Sequence, residues 1–189
     1  MAIKILQPQQ WQTQRWQNGG GITHQLCRAD DDKGMRWRIS IAEVASDGPF
    51  SQFDNIDRII MLLEGDGFLL HGVADTPMML ARALQPYAFA GETAIQCQLI
   101  AGPVRDFNLM TRRHDVAVSL EVLYLDTEAI AITLAPESFI YVFRGVLTAR
   151  LEQHCITSDV GDMLCLTDET NRCWLSAEKQ AQVILIRLN

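Results

Sequence analysis

At 189 residues, with 48% hydrophobic and 21% charged side chains, the chain is long enough for one large or two small fused domains and too apolar for disorder. Its net charge of −7 works against a nucleic-acid partner, which needs a basic face to displace phosphate counterions; Arg105, Arg112 and Arg113 lie close together, but Asp106 and Asp115 dilute them. No apolar run approaches the roughly 20 residues of a membrane span, the five cysteines are scattered without a CxxC pair, and Met1–Pro8 lacks a signal-peptide core, so reduced thiols, no membrane partner and a cytoplasmic location are expected.

In chain order, Gln9–Gln14 allows a short helical turn. It is followed by Trp16-Gln17-Asn18-Gly19-Gly20-Gly21-Ile22-Thr23, whose three glycines carry an entropic cost that a turn, a bulge or a close backbone approach to a ligand must offset. The triplet leads into Ile22–Leu26, which alternates as a strand does, and lacks the Lys-Ser/Thr and helix of a phosphate-binding loop. Trp37–Val44 alternates with period two and stops at the turn residues Ser46–Pro49. Arg58–Leu63 and Phe68–His71, separated by Glu64-Gly65-Asp66-Gly67, read as a hairpin. Ala94–Ile100, with Ala94, Gln96 and Gln98 assigned inward against Ile95, Cys97 and Leu99, and Phe107–Met110 read as further strands.

The second half repeats the pattern. Phe139–Phe143, Arg144-Gly145 and Val146–Leu151 read as a second hairpin, Val160–Leu166 as a turn into a strand, and Gln182–Leu188 as the last strand. Aligning Gly65 with Gly145 suggests an internal repeat of about 80 residues. With few helical signals, the fold class expected is all-β, a sandwich or barrel whose interior can hold a ligand.

Chemistry-bearing patterns are sparse. The four histidines, His24, His71, His114 and His154, are never spaced as paired metal ligands, and no nucleophile motif occurs, so neither a metal nor another cofactor is expected. Glu64 and Asp66 read as solvated turn carboxylates. Arg58 stands out because it enters an apolar strand, and Arg105-Asp106-Phe107-Asn108 sets polar groups beside another. If these face one cavity, a guanidinium fork and an amide suit a small carboxylic acid. The equal alternative is an internal ion pair, Arg58 with Asp106 or Asp57 with Arg105. Trp37, Phe50, Phe53 and Met110 serve either as apolar walls or as core.

Taken together, Trp16–Thr23, Trp37–Ala42, Asp47–Phe53, Asp57-Arg58 with Leu62–Gly65, and Gly102–Arg112 resemble the HutD/Ves family, over roughly residues 1 to 113. The resemblance implies cupin-type (RmlC-like) double-stranded β-helix barrels in a bicupin-like duplication with few short helices. A first barrel would span 1–115, and a second, smaller unit 116–189. It further implies a non-catalytic, metal-free protein that senses or buffers an intermediate of histidine catabolism such as urocanate or formylglutamate, its occupancy modulating catabolic flux or gene expression. Under that reading Arg58 is the anion clamp, Asn18, Thr23 and Asn108 are neutral hydrogen-bonding partners, and Ser40 joins them. Trp37, Phe50, Phe53 and Met110 are the walls, and Gly20 lets the backbone pass close to the ligand. A homodimer is compatible with it. The alternatives are a metal-independent isomerase or hydrolase acting on a similar acid, with Glu43, Glu64 or His71 carrying the proton, and a stress-response role of the Ves branch.

Overall fold

Period-two alternation of branched and aromatic side chains, broken by glycine and proline at short intervals, leaves the chain little to form except strands. The computed structural model describes residues 2–17, 19–151, 154–167 and 172–189 and is almost entirely β. The strands are β1 (Ala2–Leu6), β2 (Gln12–Arg15), β3 (Gly21–Asp31), β4 (Gly34–Val44), β5 (Gly48–Pro49), β6 (Ile56–Glu64), β7 (Phe68–His71), β8 (Met78–Leu80), β9 (Tyr87–Ala90) and β10 (Gln96–Leu99). They continue as β11 (Val104–Arg112), β12 (Val118–Leu125), β13 (Ile130–Thr133), β14 (Glu137–Arg144), β15 (Leu147–Leu151), β16 (His154–Ser158), β17 (Met163–Thr167), β18 (Arg172–Ala177) and β19 (Ala181–Leu188). One 3-10 turn, Pro8–Gln10, covers part of the expected helical segment; Gln12–Gln14 is strand instead.

Two units divide the chain. One is Trp11–Val116; the other is Ala117–Asn189 with the segment up to Gln10. Strand β1 therefore lies with the C-terminal unit, outside a first barrel drawn as 1–115, because it pairs with β17 and packs Ile3 and Ile5 onto that unit's core.

Within Trp11–Val116 a six-stranded sheet ordered β2-β3-β4-β11-β6-β9 accompanies a four-stranded sheet ordered β5-β10-β7-β8. Their apolar cluster includes Val44, Ile60, Leu62, Phe68, Leu70, Ile95 and Cys97. In the other unit the orders are β1-β17-β14-β19-β12 and β13-β18-β15-β16. Strand for strand, β4-β11-β6-β9 corresponds to β12-β19-β14-β17 and β5-β10-β7-β8 to β13-β18-β15-β16. Even the register shift matches: it falls at Arg105/Asp106 between β11 and β6, and at Val142/Arg144 between β14 and β19.

Two expected hairpins turn out to be corners. Strand β6 pairs with β11 and β9, whereas β7 pairs with β10 and β8, so Gly65-Asp66-Gly67 carries the chain from one sheet to the other. Gly145 does the same between β14 and β15. Both glycines have positive φ, +100° at Gly65 and +78° at Gly145. A Cβ at Gly65 would meet the Pro103 carbonyl at 2.8 Å, and one at Gly145 the Gln180 carbonyl at 2.2 Å, each just before the corresponding strands β11 and β19. The 80-residue spacing thus marks one position in a shared topology. In β10 the faces are reversed from expectation: Cys97 is buried while Gln96 and Gln98 are exposed, as the apolar side of a half-buried strand requires.

Candidate functional site

Strand parity lays out the site. On β11, Asp106, Asn108 and Met110 share one face; cross-strand pairing sets Asp106 between Ala42 and Leu62, Asn108 between Ser40 and Ile60, and Met110 between Arg38 and Arg58. Three successive rows on the same face therefore carry an acid, an amide with a hydroxyl, and two arginines around a thioether. Their polar members, Asp106, Asn108, Ser40, Arg38 and Arg58, border a cavity of about 590 Å³ whose lining also includes Trp16, Thr23, Phe50 and Phe53, a size ordinary for a small-molecule site.

Arg58 is 7% exposed. Its Nη2 donates to Asn108 Oδ1 at 2.7 Å and its Nη1 reaches the Ser51 carbonyl at 3.4 Å. Its guanidinium lies 4.9 Å from the Phe89 ring centroid, 5.6 Å from Phe50 and 5.8 Å from Phe53, contacts in which a ring face attracts a cation. The Arg38 guanidinium shares the Phe53 ring, 5.6 Å from its centroid. Neither arginine has an ion-pair partner within 4 Å among the described residues, and the Nε of each is buried without a hydrogen bond. Burial holds the Arg58 pKa down at about 10, with Asp106 raising it and Arg38 lowering it further; burial and Arg28 lower that of Arg38. Both stay cationic at neutral pH.

Asp106 is coupled to Arg58 through the amide: Asn108 Nδ2 donates to Asp106 Oδ1, so Asn108 presents its oxygen to the arginine and its nitrogen to the acid. Direct Arg58–Asp106 pairing does not occur within 4 Å. The other expected pair is also replaced, because Asp57 bonds Arg113 at 2.8 Å and Arg105 bonds Glu64 at 2.8 Å. Arg112 is held by Asp31 at 2.6 Å. The arginines that cluster in the sequence are thereby neutralised, while those of the cavity are not.

Of the expected ligand-binding residues, Thr23, Ser40, Phe50, Phe53, Arg58 and Asn108 line one cavity. Met110 is fully buried between the two arginine positions, outside the lining. Trp37 projects from the opposite face of β4, one residue out of phase with Arg38 and Ser40. Gly20 is buried, its carbonyl accepting from the Ala45 N–H at 2.9 Å, and also lies outside the lining. Asn18 lies outside the described residues. The expected set omits Arg38 and Asp106, although period two from Ser40 and Asn108 points to both. Glu43, Glu64 and His71 do not line this cavity: Glu43 lies 3.1 Å from His24, Glu64 binds Arg105, and His71 contacts Gln98 at 2.9 Å.

The glycine triplet shapes the wall through Trp16. The Trp16 N–H donates to the Gly21 carbonyl at 3.0 Å, and the Gly19 N–H to the Trp16 carbonyl at 3.1 Å, with Gly19 at φ +72°. The Trp16 ring donates to Thr23 Oγ1 at 2.8 Å and meets Phe50 edge-on, centroids 6.2 Å apart. A Cβ at Gly21 would fall 2.5 Å from the Glu43 carbonyl and 3.1 Å from the Trp16 ring. Gly21→Ala should therefore cost about 1–3 kcal/mol by overpacking as the ring is displaced; thermal melts of the purified variant against the unaltered protein measure the loss.

The corresponding face of the C-terminal unit is chemically different. The shared registers place Val183 and Leu185 where Asp106 and Asn108 stand, Ser119 and Ser138 in place of Arg38 and Arg58, and Arg187 in place of Met110. Arg187 is taken up by Glu121 and by the Thr133 carbonyl at 2.7 Å. Val142, Leu147, Leu164, Val183 and Leu185 belong to that unit's apolar core.

Comparison with known proteins agrees with this architecture. The HutD family profile matches residues 8–185. An uncharacterized 21.2 kDa protein in the hutC 3' region of Pseudomonas putida is 37% identical over 112 residues, 57% of each chain. Protein Ves of Cronobacter sakazakii is 40% identical over 99 residues, 52% of this chain and 54% of that protein. These matches span only a little over half the length of either relative. Among solved structures, a conserved protein of unknown function from Pseudomonas aeruginosa PAO1 has a TM-score of 0.92 at 29% identity, and HutD from Pseudomonas fluorescens SBW25, solved in a formate condition, 0.80 at 26%; both cover 100% of each chain. A cupin 2 conserved barrel domain protein from Leptotrichia buccalis, at TM-score 0.61, 8% identity and 89% coverage of each chain, shares the fold alone. No helix among the described residues is long and apolar enough to cross a membrane. The chain has a cupin-like fold and belongs to the HutD family.

Proposed function

We propose that this chain is a non-catalytic binding protein for a small carboxylate, sensing or buffering an intermediate of histidine catabolism such as urocanate or formylglutamate. One observation carries the reading: two arginines without ion-pair partners border the same aromatic-walled cavity, and Arg58 is held there at the cost of desolvation. A buried cation without a counter-ion is expensive, and an anionic ligand offsets that expense with bidentate, charge-assisted hydrogen bonds. The named relatives, one from a hutC region and one HutD, support the metabolic setting.

Calorimetric titration with urocanate, formylglutamate, histidine and glutamate tests it. At least one of the four should bind, with one site per chain, since the C-terminal unit has apolar residues in place of Asp106 and Asn108. Failure of all four with well-folded protein, or two equivalent sites per chain, contradicts this account.

A further inference from the structure

The cavity with two arginines also holds an acid. Asp106 is 1% exposed on the central strand β11. Its Oδ1 accepts from Asn108, whereas Oδ2 is buried without a hydrogen-bond partner, as is the hydroxyl of Ser40 in the neighbouring row. If ionised, this carboxylate leaves one oxygen bare in a low-dielectric interior; if neutral, it has a hydroxyl with nothing to donate to. Asn108 joins it to the same guanidinium an incoming anion would use. Two negative charges sharing that guanidinium repel, whereas a protonated Asp106 removes the repulsion and adds a donor.

Resting on the carboxylate site proposed above, we infer that Asp106 is its proton switch: the anion binds the form in which Asp106 carries a proton, so binding takes up a proton from solution. The charged and titratable groups around it come from several elements: Arg58 on β6, Arg38 on β4, Arg15 on β2 across the cavity, and Cys97 on β10. Arg58, at about 10, keeps its proton near neutrality, and a guanidinium such as that of Arg38 does not deprotonate in this range. Burial, with Asp106 and Asp47 adding to it, pushes the Cys97 thiol up to about 12, so it remains neutral. Burial raises Asp106 to about 7, with Arg58 opposing the rise. Asp106 is thus the group in this set whose charge changes in the neutral range. Its ionisation above that range should weaken anion binding, and its protonation below should restore it.

Formylglutamate and glutarate are suitable probes because their carboxyl groups stay ionised across the range needed. Titrating both into the full chain between about pH 6 and about pH 8.5 should show affinity falling by up to tenfold per pH unit above about 7. Repeating the titration in buffers of different protonation enthalpy should show uptake approaching one proton per ligand on the alkaline side. Asp106→Asn should abolish both the slope and the proton uptake. A pH-independent wild-type affinity without proton uptake overturns the switch, as does a slope that survives in Asp106→Asn. If that variant does not fold, the wild-type proton count decides. If neither acid binds at about pH 6, the same pH series is run with whichever of urocanate, histidine and glutamate binds; if none of these binds either, the carboxylate site itself falls, and the switch with it.

Discussion

Arg58→Ala should lower affinity for the proposed carboxylate ligand about thirty- to a thousandfold while leaving the protein folded. The magnitude corresponds to about 2–4 kcal/mol, the range for deleting one partner of a buried, hydrogen-bonded charge pair. The fold should survive because the guanidinium carries no ion pair: the change removes the bond to Asn108 and the contact with Phe89, but it also relieves the desolvation of a buried cation. Net stability should move by no more than about 2 kcal/mol. Arg58→Lys should recover only part of the affinity, since an ammonium retains the charge and loses the planar fork. Calorimetry and circular dichroism on both variants separate the outcomes. If the alanine variant unfolds, Arg58 is a structural element rather than an anion clamp.

The largest stability effect is expected at a corner between sheets. Gly67 has φ +103°, and an added Cβ would lie 2.5 Å from the Leu80 carbonyl and 2.7 Å from the Ala81 Cα, both backbone atoms held in or beside β8. Gly67→Ala should cost about 3–5 kcal/mol, combining left-handed strain of about 1–2 kcal/mol with overpacking against backbone that cannot step aside. Gly34 provides the control within the same unit, with φ +97° but no atom within 4 Å of the added Cβ. Gly34→Ala should cost only the strain, about 1–2 kcal/mol. Urea denaturation midpoints measure the difference. Equal losses at the two positions would mean that the corner has room the geometry denies it.

Local periodicity made most strands legible, because a half-buried sheet writes its two faces into alternate residues. Pairing was less accessible. The chain around Gly65 looks the same whether it folds back on its own sheet or crosses to another; what decides between them is β11 and β10 lying beside β6 and β7, far along the sequence. Edge strand β1 likewise finds its partner, β17, only through long-range contact.

For the site, Arg58 and Asn108 were recognisable as polar residues on apolar strands. Trp37 was misplaced by one residue: parity sends it to the face opposite Ser40, and the same parity brings in Arg38. Asp106 was first legible as a salt-bridge partner, because its link to Arg58 through Asn108 involves side-chain orientation that sequence does not specify. The glycine triplet lies beside the cavity wall for a packing reason: Gly21 leaves room for the Trp16 ring.

On the proposed function, a carboxylate lies against Arg58 in the cavity of the Trp11–Val116 unit. A crystal structure of the protein grown with formylglutamate tests it most directly. The account predicts a carboxylate group within hydrogen-bond distance of the Arg58 guanidinium, between the Phe50 and Phe53 rings, with the C-terminal unit empty. Formylglutamate bound elsewhere, or a cavity that stays empty although calorimetry shows saturation, would contradict it.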